Sequence, residues 1–171
     1  NGGSKDDVFF LNASERSYNN NITSTFNGGG GTDTVILNGS SSEPNKSNII
    51  YLDGQTVSDG PTSKVYLLNI ENVTGAENVV DEIHGNDNNN VLNGRGSGLG
   101  QDILYGNGGD DTLVLSGSTT AYGGSGKDTF YVMNNDESPM QFMTIYDDGN
   151  GGENETIFLD YTLAEVNEPS V

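Results

Sequence analysis

The chain has 171 residues, with 25 Asp and Glu against 6 Lys and Arg, a formal net charge of −19, and 25 glycines. Six basic residues cannot neutralise a phosphate backbone, which excludes nucleic acid and disfavours anionic membrane surfaces, and no apolar run reaches the length of a membrane span. No cysteine is present and 32% of residues are hydrophobic, so a disulfide framework, a thiolate metal site and a wide core are not expected, leaving one elongated domain or the composition of a disordered chain.

In chain order, residues 1–36 hold two glycine-rich stretches, GGSKDDVFF from Gly2 and GGGGTDTVI from Gly28. In each an aspartate, Asp7 or Asp33, is followed two residues later by an apolar side chain, Phe9 or Val35. They stand as isolated copies. Residues 37–72 read as an insertion: NGSSSEPNKSN is a surface loop, while NIIYLDG and KVYLLNI are strands, with an Asp–Gly turn after the first. Such a decoration is where a binding surface can be grafted.

Residues 73–131 carry the main run. Asp81, Asn90, Asp102 and Asp111 are separated by 9, 12 and 9 residues, and Asp128 follows 17 later. The apolar residues two positions on are Ile83, Leu92, Leu104, Leu113 and Phe130. The longer gap is a nine-residue turn with an insertion in GRGSGLG, and the last gap holds a short turn, LSGSTTAY, without any acid. Glu71, with Val73 two later, starts the series. Residues 132–171 predict strands near Phe142–Tyr146 and Thr156–Leu159 that cap the end, with DDGNGGENE at 147–155 as a loop.

A nine-residue unit is too short for a helix that turns back. It suits a six-residue glycine-rich loop and a three-residue strand. The acid and the apolar residue two later share one strand face, so stacked units bury one thin apolar column. Glycines permit tight loops and leave backbone carbonyls bare. Carboxylates beside bare carbonyls make the hard-oxygen set that suits Ca²⁺ better than Mg²⁺, and zinc is poorly served by a chain with one histidine and no cysteine. Several Ca²⁺ ions would offset the charge, so the chain is expected to be expanded without metal and folded with it.

GGGGTDTVI, GGSKDDVFF, GNGGDDTLV and GGSGKDTFY resemble the GGxGxDxUx nonapeptide of the repeats-in-toxin (RTX) family. LNIENVTGAENVVDEIHGNDNNNVLNG is similar to that family's lead-in, and NIIYLDGQTVSDG to the hairpin-like segment that often precedes it. The resemblance covers roughly residues 1–36 and 49–131. It implies an all-β, right-handed parallel β-roll with a decorated N-terminal part and a C-terminal β cap, 1–171 forming a single elongated domain. It also implies calcium between turn n and turn n+2, with Asp81 facing Asp102, Asn90 facing Asp111 and Asp111 facing Asp128, while Asp102 lacks an acidic partner above. The implied ligand positions are Asp7, Gly28, Gly30, Asp33, Asp81, Asp87, Asn90, Asp102, Gly106, Gly108, Asp110, Asp111, Gly123, Ser125 and Asp128. For origin, the resemblance implies a bacterial protein exported by type I secretion and folded by calcium outside the cell. A start at Asn1 is expected of a monomeric piece of a larger secreted or cell-surface protein, with that protein's other domains as neighbours.

Enzyme signatures are missing. No GxSxG, GxxxxGK[ST] or complete GxGxxG occurs, and 147–155 does not meet the EF-hand order. Adjacent pairs such as Asp110 and Asp111 read as metal ligands or a solvated face rather than as glycosidase acids. His84 reads as a surface strand residue, and Tyr51, Tyr66 and Tyr105 as packing on the coil. The preferred reading is a structural calcium-binding module without enzymatic activity. The alternatives are an adhesin module binding sugar, peptide or ice, and an accessory module of a secreted protease, lipase or alginate epimerase.

Overall fold

The computed structural model describes residues 1–12, 23–38, 47–52, 56–57, 64–77, 79–96, 101–133, 143–146 and 155–160. Among them are fifteen strands and no helix. In chain order these are β1 (Val8–Asn12), β2 (Thr23–Asn27), β3 (Thr34–Asn38), β4 (Ser47–Tyr51), β5 (Thr56–Val57), β6 (Lys64–Leu68), β7 (Asn72–Thr74) and β8 (Val80–His84). They continue as β9 (Val91–Asn93), β10 (Gln101–Gly108), β11 (Thr112–Ser116), β12 (Ser118–Ser125), β13 (Thr129–Met133), β14 (Met143–Tyr146) and β15 (Thr156–Asp160). The expected loop at 39–46, the turn at Asp53 and Gly54, Phe142 and the loop at 147–154 lie outside the described residues.

The strands form three sheets. A seven-stranded sheet has the order β1-β3-β7-β9-β11-β13-β15, a five-stranded sheet the order β14-β12-β10-β8-β4, and a small sheet the order β2-β6-β5. Every pairing among the described residues is parallel except β5 with β6. Parallel neighbours need a crossover. From β7 onward that crossover is a single strand of the other sheet: β8 joins β7 to β9, and β12 joins β11 to β13. The chain is therefore all-β and mainly parallel, built by alternation between two sheets.

Burial follows the period of two. In β10 and β11 alternate residues turn inward, and each acid and the apolar residue two later lie on that inward face. Val35, Val73, Leu92, Leu113 and Phe130 form the inward row of the seven-stranded sheet, and Ile50, Ile83, Leu104 and Ala121 that of the five-stranded sheet. All nine are at most 1% exposed, which makes the core one residue thick from each side. The small sheet closes on its beginning, with Leu67 buried and Phe26 meeting Phe9 edge-on at 5.8 Å.

Two segments owe their place to register that local sequence does not carry. The strands of NIIYLDG and KVYLLNI, β4 and β6, do not pair with each other: β4 lies parallel to β8 in the five-stranded sheet, while β6 pairs with β2 and β5. Hairpin-like pairing is confined to β5 and β6. At the other end, β14 and β15, in the segment expected to cap the coil, continue the two main sheets in parallel register.

On the outer face of the five-stranded sheet, Tyr51, His84, Tyr105, Tyr122 and Tyr146 stack in register, with ring centroids 4.4, 4.5, 4.8 and 4.8 Å apart. His84 is half-buried within this column, its Nε2 2.8 Å from Glu82 Oε1. No helix among the described residues is long and apolar enough to cross a membrane.

Candidate metal centre

The buried acids stack because their strands do. Along the seven-stranded sheet, each acid or Asn90 occupies the residue before its strand, and its backbone N–H donates to the next such side chain except at Glu71, whose N–H donates to Asp33 O at 3.2 Å. Asp7 donates to Asp33 Oδ1 at 2.8 Å, and Asp33 to Glu71 Oε2 at 2.7 Å. Beyond Glu71, Asn90 donates to Asp111 Oδ1 at 2.8 Å, Asp111 to Asp128 Oδ1 at 2.9 Å, and Asp128 to Glu155 Oε2 at 2.5 Å. Asn90 bridges the join, its Nδ2 donating to Glu71 O at 3.0 Å. The copies at Asp7 and Asp33, separate in sequence, are thus neighbours in one column. A second column runs along the five-stranded sheet. Asn48 Nδ2 donates to Asp81 Oδ1 at 2.5 Å and Asp81 N–H to Asp102 Oδ1 at 3.0 Å. Asp102 is in register with the buried Thr119.

These bonds engage one side-chain oxygen of each acid after Asp7, while Asp7 ends its column and Asn90 has a single side-chain oxygen outside it. What meets the oxygen outside these bonds separates the loops into two kinds. Asp7 Oδ2 accepts the N–H of Gly3 at 2.9 Å, Asp81 Oδ2 that of Ala76 at 2.7 Å, and Asn90 Oδ1 that of Asn86 at 2.8 Å. Asp33, Asp102 and Asp111 are at most 1% exposed, yet the Oδ2 of each has no hydrogen-bond partner. A buried acceptor left unsatisfied is costly.

Each such oxygen shares a glycine with a backbone carbonyl. A Cβ on Gly28 would fall on Asp33 Oδ2 and Asn69 O, and one on Gly106 would fall on Asp111 Oδ2 and Gly123 O. A Cβ on Gly96 would meet Ser116 O and Asp102 Oδ2. A carboxylate oxygen and a carbonyl oxygen beside a bare Cα form an oxygen-lined cradle that any side chain would fill. Among the described residues no three of His, Cys, Asp and Glu converge on one point. A cation here would therefore draw most of its ligands from the backbone, a donor set that fits a hard ion such as Ca²⁺.

The loop backbone is shaped for this. Gly31, Gly109 and Gly126, each two residues before an acid, have φ of 117°, 99° and 124°. Gly29, Asn107 and Gly124, four residues before the same acids, have φ of 103°, 75° and 101°. That conformation is open to glycine and, at some cost, to asparagine.

The remaining sequence candidates lie outside the hydrogen-bonded columns. Asp110 is exposed and its Oδ1 accepts the N–H of Lys127 at 2.9 Å, as Asp6 Oδ1 accepts that of Thr32 at 2.8 Å. Asp110 thus ties successive turns together outside the buried column. Asp87 and Ser125 flank Gly108, their oxygens 3.3 and 3.4 Å from where a Cβ would stand. Gly30 is exposed and its N–H donates to Gly3 O at 2.9 Å. Gly123 adjoins Asp128, whose carboxylate a Cβ would meet. Asn48, Glu155 and the carbonyls of Asn69 and Ser116 are members that the repeat pattern did not single out. Asn48 and Glu155 do carry its signal, since Ile50 and Ile157 follow two residues later.

Electrostatics without metal oppose ionisation. Burial pushes the Asp102 carboxyl up from 3.8 to about 8, with the nearby Asp81 charge adding to the rise and the Asp81 N–H working against it. Burial pushes Asp111 up to about 7, the N–H of Asn90 opposing and the Asp128 and Asp110 charges adding. A divalent cation would reverse that balance.

No protein-family model matches this chain, and no curated protein matches it.

Proposed function

We propose that this chain is a calcium-dependent structural module, a right-handed parallel β-roll of the repeats-in-toxin kind, within a larger secreted or cell-surface bacterial protein. The observation that carries the reading is the set of buried, unpartnered Oδ2 atoms of Asp33, Asp102 and Asp111, each sharing a bare glycine with a backbone carbonyl. Alternation between two parallel sheets supports the coil, because a thin core stacked turn on turn is what such a roll requires.

On this reading Asp33, Asp102 and Asp111 hold ions together with the carbonyls of Asn69, Ser116 and Gly123. Bound Ca²⁺ supplies positive charge to a chain of net charge −19 and satisfies oxygens that the fold buries. The protein's own part is to align the carboxylates through the N–H bonds of the columns and to exclude water from them. Its work is folding outside the cell, assistance to type I secretion and placement of neighbouring domains, with no substrate chemistry of its own.

The test is far-UV circular dichroism during a calcium titration, with chelator reversal and a magnesium control. A β signal that rises with calcium, falls with chelator and responds weakly to magnesium is expected. A chain fully folded in chelator and unchanged by millimolar calcium would sink the reading.

A further inference from the structure

The stacked rings on the five-stranded sheet take no part in the carboxylate columns. Tyr105, Tyr122 and Tyr146 are parallel within 9° at a spacing of 4.8 Å. Their faces cover one another, so the column presents ring edges and hydroxyl groups outward. Two residues after Tyr105 and Tyr122 stand Asn107 and Gly124, which are in register. A side chain at one position and none at the next leaves a notch in the sheet surface. It is a cavity of about 220 Å³ lined by Tyr105, Asn107, Tyr122, Gly124 and Tyr146. Asn107 is held at φ 75° with its Nδ2 bonded to Gly85 O at 2.8 Å, which leaves its Oδ1 as the remaining acceptor.

We propose that this notch binds one ring of a neutral saccharide. The described residues that line it are uncharged in a chain of net charge −19, and the field of such a chain repels anionic sugars. Phenol hydroxyls both donate and accept, as sugar hydroxyls do, and tyrosine pairs an apolar ring with a polar tip. The volume lies below the roughly 300 Å³ at which pockets for drug-sized ligands begin and is commensurate with a single pyranose. The proposal does not depend on the metal reading, because the notch belongs to the sheet face and the titration runs on the folded chain whether or not calcium is what folds it.

The chain has 8 tyrosines, among them Tyr51, Tyr105, Tyr122 and Tyr146 of this column, and no tryptophan, so tyrosine fluorescence follows the titration. The calcium-supplemented protein is titrated with maltotriose, cellotriose and mannotriose, with trigalacturonate as the charged control and a polyproline decapeptide as the protein-like one. Saturable binding of at least one neutral trisaccharide is expected. Tyr122→Phe, which keeps the stack and removes one hydroxyl, weakens it about fivefold, the scale of one hydrogen bond. Asn107→Gly, which tolerates the positive φ, weakens it similarly, and Tyr131→Phe on the other sheet leaves it unchanged. Circular dichroism checks that each variant is folded. No saturable binding of any neutral sugar, preference for trigalacturonate or for the peptide, or affinity unaltered in both Tyr122→Phe and Asn107→Gly would each overturn the proposal.

Discussion

The loops before Asp7 and Asn90 and the loops before Asp33 and Asp111 lead to equivalent positions in one column, yet they treat the acceptor differently. In the first pair the N–H four residues back, from Gly3 or Asn86, closes onto Asp7 Oδ2 or the one side-chain oxygen of Asn90. In the second pair the residue four back, Gly29 or Asn107, has positive φ, and the outer oxygen is left without a partner. The position two before the acid tracks this division. It is Gly31 or Gly109 in the open loops, both at positive φ, and Lys5 or Asn88 in the closed ones. Glycine four back does not suffice, since Gly3 belongs to a closed loop. Two departures from ordinary backbone, one residue apart, are what turn the amide away and leave an oxygen that a cation can satisfy.

The largest expected effect comes from removing the cation and changing pH. Asp102 and Asp111, each with an Oδ2 that has no hydrogen-bond partner, have carboxyls raised from 3.8 to about 8 and about 7. A raised folded-state value means that the groups stabilise the metal-free fold fully below about 3.8. That contribution declines as pH rises and is lost beyond about 7 for Asp111 and about 8 for Asp102. In chelator, the far-UV β signal should therefore be larger at pH 5 than at pH 8.5, and calcium should remove the difference. A signal in chelator that stays level across this range would break the distinction between open and closed loops.

Backbone substitution sharpens the same contrast at one loop position. Gly124, four before Asp128, has φ 101°, and a Cβ there would strike Asn107 O. Gly3, four before Asp7, has nothing within 4 Å of its missing Cβ. Gly124→Ala should cost about 2 kcal/mol or more in urea unfolding of the calcium-loaded chain, and Gly3→Ala should stay within about 0.5 kcal/mol. Equal costs would mean that the two loops are built alike.

Spacing of acid and apolar residue made the inward rows legible, because both follow from the two-residue period of a strand and need no knowledge of distant partners. Leu92, Leu104 and Leu113, each found this way, are fully buried. Register across insertions was not legible. Asn48 reaches Asp81 over 33 residues, and Asp33 reaches Glu71 over 38, spans in which no local pattern counts turns. The aromatic column was hidden for the same reason: Tyr51, His84 and Tyr105 become neighbours only through the pairing of β4, β8 and β10. The open and closed loops look alike in sequence until the residue two before the acid is considered, where a glycine signals a conformation and not merely flexibility.

Side-chain charge gives the next smaller effect. Asp111→Asn keeps an acceptor for the N–H of Asn90 but removes a charge from an open loop, and should raise the calcium midpoint of folding on the order of tenfold, since ligand charge sets calcium affinity. Asp7→Asn removes the same charge from a closed loop, where Gly3 already satisfies the outer oxygen, and should shift the midpoint by less than about twofold. Comparable shifts in the two calcium-monitored titrations would show that closure by an amide does not exclude the ion.

The smallest expected change is also the most direct probe of what separates the loops. Lys5 is exposed and stands where Gly31 and Gly109 stand in the open loops. Lys5→Gly gives the Asp7 loop glycines both two and four residues before its acid and removes one positive charge beside it. If the paired positive φ is the cause, the Gly3 amide should release Asp7 Oδ2 and the loop should gain a weak ion. The fold should be barely altered, because β1 keeps its pairing with β3 and Leu11 its burial. Isothermal titration with calcium should then count one more ion per chain than in the parent, at an affinity below that of the Asp111 loop, while urea stability changes by no more than about 0.5 kcal/mol. An unchanged count would place the cause outside the loop, in the terminal position of β1, where Asp7 has no acid on its far side within the described column. Lys5→Gly therefore separates loop conformation from place in the stack.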